Sequence, residues 1–422
     1  MQTSYRENAY RDSERKPISA AQRTNVAKIY DYYGASGKID KIDKFIFDEK
    51  LLLIGEDGAN LVTRSKPIAF FAEGQYWVNN HAHCIDSPDK SILEFLCFYI
   101  NAISLEKYVT GSAQPKMTQD NMNSILIALP PYKEQLLISK QLDIIWSSID
   151  KIESEKENVL ELVDKAKSKI LDLAIRGKLV PQDPTDEPAS VLLERIRAEK
   201  EELIKLGKIK RDKKESVIFK GDDNSYYLRT ESETVEITDE MPYEIPESWE
   251  WAKLGSVFQV NPRNKLDDLL EVSFIPMPLI EDGFSGKHTS EVRVWKKVKS
   301  GFTHFMEGDI GIAKITPCFE NRKSVVFRNL KNNYGAGTTE LHILRPYASA
   351  ILPEYILAYV KSSMFIDKGK QEFTGAVGQQ RIGKDYVENS YFPIPPLAEQ
   401  ARIVEQISTA YKQLDLISNA LL

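Results

Sequence analysis

Three short stretches of the chain have the residue types and spacings of catalytic or metal sites. The stretch Gly378-Gln-Gln-Arg-Ile-Gly-Lys384 has the G-x-x-x-x-G-K spacing of a loop that binds nucleotide phosphates. The next residue is Asp385, where this chemistry needs a hydroxyl group to hold Mg²⁺, and a carboxylate there would repel phosphate. Because no buried hydrophobic strand is predicted before the loop either, the sequence does not favour a nucleotide site.

The second stretch, Leu129-Pro-Pro-Tyr132, is similar to the Asp/Asn-Pro-Pro-Tyr/Phe signature of DNA methyltransferases that act on amino groups. That signature needs Asp or Asn to accept hydrogen bonds from the target amine, whereas this chain has Leu129. In the third stretch, His81 and His83 offer two imidazoles to a metal, but no third ligand stands at a suitable spacing. The chain is therefore predicted to have no catalytic residue and no metal site.

Binding residues are more prominent than catalytic ones. Residues 287–331 contain ten basic and four acidic side chains with interleaved aromatic residues, a pattern typical of a nucleic-acid surface or of a solvated sheet edge. Two glycine-rich loops are predicted, at residues 33–37 and 334–338, and they would let a backbone approach a ligand closely. Gln and Arg suit the recognition of adenine and guanine edges in DNA. The residues predicted to contact DNA are Lys16, Tyr33, Ser36, Arg64, Gln114, Lys116, Arg263, Lys287, Lys314, Arg322, Gln379, Gln380 and Arg381.

The elements that position these residues occur twice in the chain. Residues 110–152 resemble residues 374–417: each copy opens with Thr-Gly and continues to a Pro-Pro-x-x-Glu-Gln segment. The apolar positions that follow are offset by a constant 265 residues, and upstream His83 corresponds to His342. The sequence therefore predicts a globular domain and a helix, followed by a second globular domain and a second helix.

Each predicted helix carries an apolar seam. Spacings of four and three alternate from Ile138 to Leu173 over about five heptads, and the pattern returns in residues 403–421. Antiparallel pairing of the two seams would relate the domains by a pseudo-two-fold axis, and a helix over residues 133–176 would be roughly 65 Å long. The residues predicted to pair are Ile138, Leu142, Ile145, Ile149, Ile152, Ile403, Ile407, Leu414 and Ile417.

The predicted fold class is α+β, with two globular domains separated by long antiparallel coiled-coil helices. A second charged helix is predicted over about residues 190–214, and the acidic, proline-containing residues that follow are predicted to form a linker. The predicted boundaries are a first domain at 1–131, a central helical spacer at 132–214, a linker at 215–246, a second domain at 247–394 and a distal helix at 395–422.

Composition limits the class of protein. The chain has 422 residues with 62 acidic and 56 basic side chains, a net charge of −6, so its length predicts two or three domains. Because it has no run of 18 apolar residues, no membrane span is predicted. Its N-terminus is polar, which predicts that the chain is not exported. Three scattered cysteines favour a reducing, cytoplasmic location. The acidic total alone argues against a nucleic-acid partner, whereas the basic excess within residues 287–331 favours one.

Taken together, the motifs resemble those of the specificity (S) subunits of type I restriction–modification systems. The resemblance rests on the segments 15–17 and 32–37, on Gly55-Glu-Asp-Gly-Ala-Asn60, on the repeated Thr-Gly and Pro-Pro-x-x-Glu-Gln segments, on Leu171-Asp-Leu-Ala-Ile-Arg-Gly-Lys-Leu179 and on Trp249-Glu-Trp-Ala-Lys-Leu-Gly255. It covers nearly the whole chain.

The resemblance implies two target recognition domains, each of which recognises one half of an asymmetric, bipartite DNA site, with helices that set the spacer between the halves. It also implies assembly with two modification subunits, which bind S-adenosylmethionine and methylate adenine, and with restriction subunits that use ATP and Mg²⁺. No cofactor is expected on this chain. The opening segment Pro246–Gly255 has no counterpart before the first domain, which predicts a shortened first domain.

Two other classes stay open at the level of sequence. One is a DNA adenine methyltransferase-like enzyme or nucleotide hydrolase, based on the Pro-Pro-Tyr and Gly-Lys segments. The other is a coiled-coil interaction protein without a DNA role, which the heptads alone would permit.

Overall fold

The computed structural model describes residues 10–111, 114–211, 215–376 and 378–421. Its contacts divide the chain into residues 1–154, called unit 1 here, and residues 155–422, called unit 2. The division falls inside one 44-residue helix, Tyr132–Ile175, rather than at the predicted end of the first domain. Among the described residues, no helix combines the length and apolar character needed to cross a membrane.

In the part of unit 1 that the structure describes, the strands form two small sheets. Strands β1, β2, β3 and β6 form one sheet in the order β2-β1-β6-β3, and strands β4, β5 and β7 form the other in the order β5-β4-β7. The strands are β1 Tyr30–Gly34, β2 Gly37–Ile42, β3 Phe47–Asp48, β4 Leu51–Gly55, β5 Ala69–Ala72, β6 Gln75–Val78 and β7 Ala82–Ile85. The helices are α1 Ala20–Thr24, α2 Asn60–Thr63, α3 Lys90–Ala102, α4 Gln119–Asn123 and the start of α5 Tyr132–Ile175.

The described residues of unit 2 form four sheets, in the orders β10-β9-β8, β11-β20, β12-β19-β16-β17 and β14-β13-β18-β15. Its strands are β8 Val217–Lys220, β9 Tyr226–Arg229, β10 Thr234–Glu236, β11 Glu250–Lys253, β12 Phe258–Val260, β13 Glu271–Ile275, β14 Glu291–Val294, β15 Thr303–Met306, β16 Ile310–Ala313, β17 Ser324–Val326, β18 Tyr334–Gly337, β19 Leu341–Pro346 and β20 Tyr391–Ile394. Its helices are α6 Ala189–Lys205, α7 Leu254–Val257, α8 Pro353–Lys361, α9 Ser363–Gln371, α10 Lys384–Asn389 and α11 Leu397–Leu421.

The two sheets of unit 1 have counterparts in unit 2. In unit 1, β1 pairs antiparallel with β2 and parallel with β6, and in unit 2, β13 pairs antiparallel with β14 and parallel with β18. The second sheets also match, because β4 lies antiparallel between β5 and β7 as β16 lies between β17 and β19. The predicted α+β class and the internal repeat are thereby confirmed.

The central strands explain the apolar runs in the sequence. All five residues of β4 are buried, because its side chains alternate between two cores on opposite faces of the sheet. Leu52 and Ile54 pack with Leu93 and other residues of α3, whereas Leu51 and Leu53 pack on the opposite face. A strand covered on both faces is apolar along its whole length, which makes it recognisable from sequence.

The two long helices contact each other in an antiparallel sense within unit 2. Lys167 Nζ of α5 lies 2.6 Å from Asp415 Oδ1 of α11, and Tyr411 OH donates a 3.0 Å hydrogen bond to the Lys167 carbonyl. Further along α5, Ile175 shares a buried core with Ile403. Of the predicted pairing residues in unit 1, Ile145, Ile149 and Ile152 are exposed.

Three predicted elements differ from the structure. The predicted linker contains the antiparallel sheet β8–β10, because alternate apolar residues in this acidic segment, including Ile218, pack with Ile237 against Trp251. Helix α6 ends at Lys205 rather than near residue 214, since Gly207 takes a positive φ of 67° there. The glycine-rich segment at 334–338 is largely strand β18, and it needs Gly335 because a Cβ there would lie 2.1 Å from the Phe305 ring.

Candidate nucleic-acid interface

An exposed hairpin loop of unit 2, residues 374–381, contains three of the predicted DNA contacts. Thr374 and Arg381 close the loop through two backbone hydrogen bonds of 2.9 and 3.0 Å, and Gly375 has a positive φ of 108° that permits the tight turn. The Gln379 side chain lies on the exposed part, while the Gln380 carbonyl accepts a 2.9 Å hydrogen bond from the Thr316 amide. The loop therefore presents polar groups on a fixed backbone.

An ion pair holds this loop to the sheet. The Arg381 guanidinium donates to both carboxylate oxygens of Glu340 at 2.8 and 3.0 Å, and its third nitrogen donates to the Gln379 carbonyl at 2.8 Å. The hydrogen bond from Arg381 lowers the pKa of Glu340, so the carboxylate stays charged at neutral pH. In this structure Arg381 supports the loop, and the prediction that it contacts DNA stays a prediction.

Unit 1 closes a loop after Thr110 with the same pair of backbone hydrogen bonds, and the charges beside it are rearranged. Thr110 and Lys116 exchange two 2.8 Å backbone hydrogen bonds, and Lys116 Nζ lies 3.1 Å from Glu56 at the end of β4. In unit 2 the corresponding position after β16 is a cation, Lys314, and the acidic partner comes instead from Glu340 before β19. Each unit therefore keeps a cation on the loop and an opposite charge on the sheet beneath it.

A buried histidine supports the backbone after each loop. His83 Nε2 lies 3.1 Å from the Met117 carbonyl, and His342 Nε2 lies 3.1 Å from the Ile382 carbonyl. The other ring nitrogen of His83 bonds to Asp12, and that of His342 bonds to Asn261. Burial lowers the pKa of His342, which favours its neutral form. These shared hydrogen bonds explain the His83/His342 correspondence, and they use His83 as a structural residue.

The catalytic motifs considered from sequence are used in the same structural way. The His81 ring forms a 2.7 Å hydrogen bond with Asp57. Among the described residues, no group of three His, Cys, Asp or Glu side chains is placed to hold a metal ion. The Gly378–Lys384 segment runs from the hairpin loop to the start of helix α10, and Lys384 pairs with Glu388 at 2.6 Å. Tyr132 begins helix α5.

Several of the predicted DNA contacts have protein partners. Arg64 donates to the Ile103 carbonyl at the end of α3, and Arg322 donates to the Lys361 carbonyl at 3.0 Å. Tyr33 lies half-buried in β1 with its ring 5.6 Å from that of Tyr76. The other predicted residues have exposed or half-buried side chains, and these are Lys16, Ser36, Gln114, Arg263, Lys287 and Lys314.

The predicted DNA contacts leave out one cationic surface of unit 2, although two of its lysines belong to the basic window of residues 287–331. Lys296 and Lys297 form the turn after β14, and the Lys296 amide donates a 3.0 Å hydrogen bond to Asp268 in the loop that carries Lys265. The side chains of Lys265, Lys296 and Lys297 form no ion pair within the described part of the chain, and Leu269 beside them is 80% exposed. The sequence signals for this surface were the Lys-Lys pair and the basic excess of residues 287–331, but neither singles out these lysines from the other basic residues of the window.

The chain belongs to the family described as Type I restriction modification DNA specificity domain, which matches residues 5–162 and again residues 246–421. The family predicted from the sequence motifs is thereby confirmed, and each match falls largely in one unit.

Two curated relatives are similar over part of the chain. The Type I restriction enzyme EcoAI specificity subunit of Escherichia coli is 48% identical over 243 residues, which are 57% of this chain and 38% of the relative. The EcoEI specificity subunit of Escherichia coli is 46% identical over 279 residues, 64% of this chain and 44% of the relative. The chain thus spans about two fifths of the length of these relatives.

A solved structure, that of the HsdS subunit from Thermoanaerobacter tengcongensis, aligns with 98% of this chain and 88% of its own length. The TM-score is 0.46 and the sequence identity is 14%.

Proposed function

We propose that this chain is a non-catalytic DNA-specificity subunit of a type I restriction–modification complex that acts in the cytoplasm. Unit 1 recognises one half of a bipartite DNA site, unit 2 recognises the other half, and helix α5 contributes to the distance between them. The observation that carries the proposal is the double match to a DNA specificity domain, once in each unit. A repeated recognition domain on one chain suits a site with two separated halves.

The two loops closed by Thr110–Lys116 and Thr374–Arg381 support this division. Their closing hydrogen bonds are the same, but their exposed residues differ, with Gln114 in unit 1 and Gln379 in unit 2. Two domains with one framework and different exposed side chains are expected to recognise different base sequences. The unpaired lysines at 265, 296 and 297 would then contact phosphates, which position the protein on DNA without selecting bases.

The chemistry of the complex is assigned to partner subunits. We expect two modification subunits to bind S-adenosylmethionine and methylate adenine, and restriction subunits to bind ATP and Mg²⁺. The chain itself is expected to bind double-stranded DNA and to hold no cofactor. Partners also supply phosphate contacts, so a net charge of −6 on this chain is compatible with DNA binding by the complex.

The test is a footprint on a library of random-sequence DNA, made with the chain in the presence and in the absence of modification subunits. Two short protected blocks separated by a constant gap are expected with the modification subunits present. Protection that does not depend on sequence would contradict the proposal and favour an interaction protein without a DNA role. Binding of S-adenosylmethionine or ATP by the purified chain alone would favour an enzyme instead.

The variant Lys314→Gln provides the matched test of the two-unit division. It should weaken protection of the second half-site only, because Lys314 lies in unit 2 beside the loop of residues 374–381. Equal loss at both half-sites would contradict a local contact.

A further inference from the structure

In unit 2, strand β11 pairs with β20, the strand that leads into the Pro-Pro segment. Strand β11 pairs antiparallel with β20, with Glu250 opposite Ile394 and Ala252 opposite Phe392. Just before β11, the Trp249 indole N–H donates a 2.8 Å hydrogen bond to Glu399, which is completely buried. The segment 246–255 therefore covers the edge of β20 and satisfies the carboxylate of the Glu-Gln pair.

Unit 1 contains the same acceptor structure. Tyr99 OH donates a 3.0 Å hydrogen bond to the Leu126 carbonyl, as Tyr359 OH donates a 2.8 Å hydrogen bond to the Tyr391 carbonyl. The amide nitrogen of Gln135 donates to the Pro130 carbonyl at 2.8 Å, as that of Gln400 donates to the Pro395 carbonyl at 3.0 Å. These contacts place residues 126–129 of unit 1 in the position of β20.

Among the described residues, no strand pairs with residues 126–129. These four residues form neither a helix nor a strand. Leu126 is 82% and Leu129 is 66% exposed, whereas Ile394, which corresponds to Leu129, is fully buried. Within the described part of the chain, the backbone N–H groups of Ile127 and Leu129 form no hydrogen bond. Unpaired backbone groups flanked by exposed leucines form an edge that can accept a strand.

Two further polar groups at this edge lack, within the described part of the chain, the protein partners that their counterparts have in unit 2. Glu134, which corresponds to the buried Glu399, is exposed and forms no ion pair with any described residue. The Gln135 side chain is 92% buried, yet its Oε1 has no hydrogen-bond partner, whereas Oε1 of Gln400 accepts a 2.9 Å hydrogen bond from Leu352. A buried amide oxygen without a partner marks an incomplete region of the fold.

We propose that residues 126–129 of unit 1 are the acceptor edge for an added β-strand that has the chemistry of residues 246–255. The occupant is an extended polypeptide segment with Trp-x-Trp at its centre. Its backbone pairs with Ile127 and Leu129, its first indole N–H donates to Glu134, and its apolar side chains cover the two exposed leucines. The strand pairing of β11 with β20 in the same chain is the precedent for this geometry. The proposal does not depend on the proposed DNA-specificity function.

The test uses the full chain and a fluorescein-labelled peptide of residues 246–257, titrated by fluorescence anisotropy. Hydrogen exchange followed by mass spectrometry locates the peptide. In the free chain, the amides of residues 126–129 should exchange at least tenfold faster than those of residues 391–394. Peptide binding should slow exchange at 126–129 and leave 391–394 unchanged, because the latter edge is already occupied.

Matched variants make the assignment specific. The Trp249→Ala peptide should bind the original chain at least tenfold more weakly than the original peptide does. The original peptide should likewise bind at least tenfold more weakly to the Glu134→Ala chain and to the Leu129→Arg chain. Both substitutions are at exposed positions, so folding should persist, and Glu153→Ala on the same helix should have no effect. Absence of peptide binding, binding that these variants leave unchanged, or protection confined to 391–394 would overturn the proposal. Protection of 126–129 in the free chain that grows with protein concentration would assign the edge to a second copy and overturn it as stated.

Discussion

At the scale of single residues, the ion pairs beside the loops that open with Thr110-Gly111 and Thr374-Gly375 explain how these polar, glycine-containing segments are held in place. Sequence analysis identified Arg381 as a base-contacting residue because Arg is common in that role. The structure places its guanidinium on Glu340 instead, with all three nitrogens bonded within the protein. Because the donors of Arg381 are occupied within the protein, its side chain serves to fix the loop, here through its hydrogen bond to the Gln379 carbonyl beside Gln380.

The Glu340–Arg381 pair leads to a first prediction. Arg381→Gln should accelerate amide exchange in residues 374–381 and weaken binding of the second half-site by about tenfold, because the loop loses its anchor. Since the pKa of Glu340 is lowered, the pair contributes fully above the ordinary value of 4.5 and is lost as pH falls through the lowered pKa. Exchange measured at several pH values checks both effects.

The control for this pair is Lys368→Gln, a cation of unit 2 that is exposed and has no ion pair among the described residues. It should change neither loop exchange nor half-site selectivity. An Arg381→Gln chain with an unchanged loop would show that the ion pair is not the anchor.

A second residue-scale prediction concerns Lys361, whose ammonium donates to the carbonyls of Gly283 and Arg322 at 2.6 and 2.7 Å. Burial and then the Arg322 guanidinium lower the pKa of Lys361 to about 7, and Asp282 opposes them. Above pH 7 the unfolded chain binds more protons at this residue, so the free energy of unfolding should rise with pH by at most about 1.4 kcal/mol per pH unit.

Urea unfolding of the full chain between pH 6 and pH 9 measures this slope. Lys361→Met should remove the part of the slope that this residue causes, and Lys368→Met should retain it because Lys368 is exposed. A slope that is the same in all three chains would contradict the assignment.

At the scale of elements, the helices show how one heptad pattern can have two structural outcomes. The seam of α5 is apolar on both sides of the unit boundary, but Val163 and Leu171 in unit 2 are buried while Ile145 and Ile152 in unit 1 are exposed. Periodicity predicts which face of a helix needs a partner. It does not indicate how far along the helix a partner extends.

The third prediction compares one isoleucine from the seam of α11, Ile403, with one from the seam of α5, Ile145. Ile403 is fully buried with Ala174 and Ile175, so Ile403→Ala should lower the free energy of unfolding by about 2–5 kcal/mol. Ile145 is 50% exposed, and Ile145→Ala should change it by less than about 0.5 kcal/mol. Chemical unfolding of both variants checks the contrast, and similar losses would mean that Ile145 is covered in solution.

At the scale of the whole molecule, the double domain match and the helix between the units lead to the fourth prediction. Inserting one heptad between Ser154 and Glu155 would lengthen α5 by roughly 10 Å at ~1.5 Å per residue. Under the proposed function, the gap between the half-sites should grow by about three base pairs, at ~3.4 Å each, with both half-site sequences unchanged.

Methylation-site mapping in cells that carry the complete system measures the gap and both half-sites. An insertion of seven Gly/Ser residues at the same place is the control, because a flexible linker cannot set a distance. A changed half-site sequence in the heptad variant would contradict the division into recognition domains and spacer.

Much of the fold was predictable from sequence because its signals are local. The apolar strand β4, the long helix α5 and the paired Thr-Gly and Pro-Pro-x-x-Glu-Gln segments each follow from residue types at fixed spacing. The sheet β8–β10 was not predicted, because strong acidic charge obscured the short alternation that includes Ile218. Strand β18 was predicted as a loop because its glycines are needed for packing against Phe305 rather than for turns.

By itself, the amino-acid sequence determined the repeat, the family and the face of each helix that is apolar, since all of these depend on order along the chain. Only the tertiary structure decided which side chains are already bonded and which edges are open. Arg381 and Lys116 each lie opposite a carboxylate, whereas the lysines at 296 and 297 have no ion-pair partner among the described residues. In the same way, residues 126–129 and β20 both precede a Pro-Pro segment, yet among the described residues only β20 has a partner strand. Pairing across distant segments is a property of the folded chain, and no local pattern encodes it.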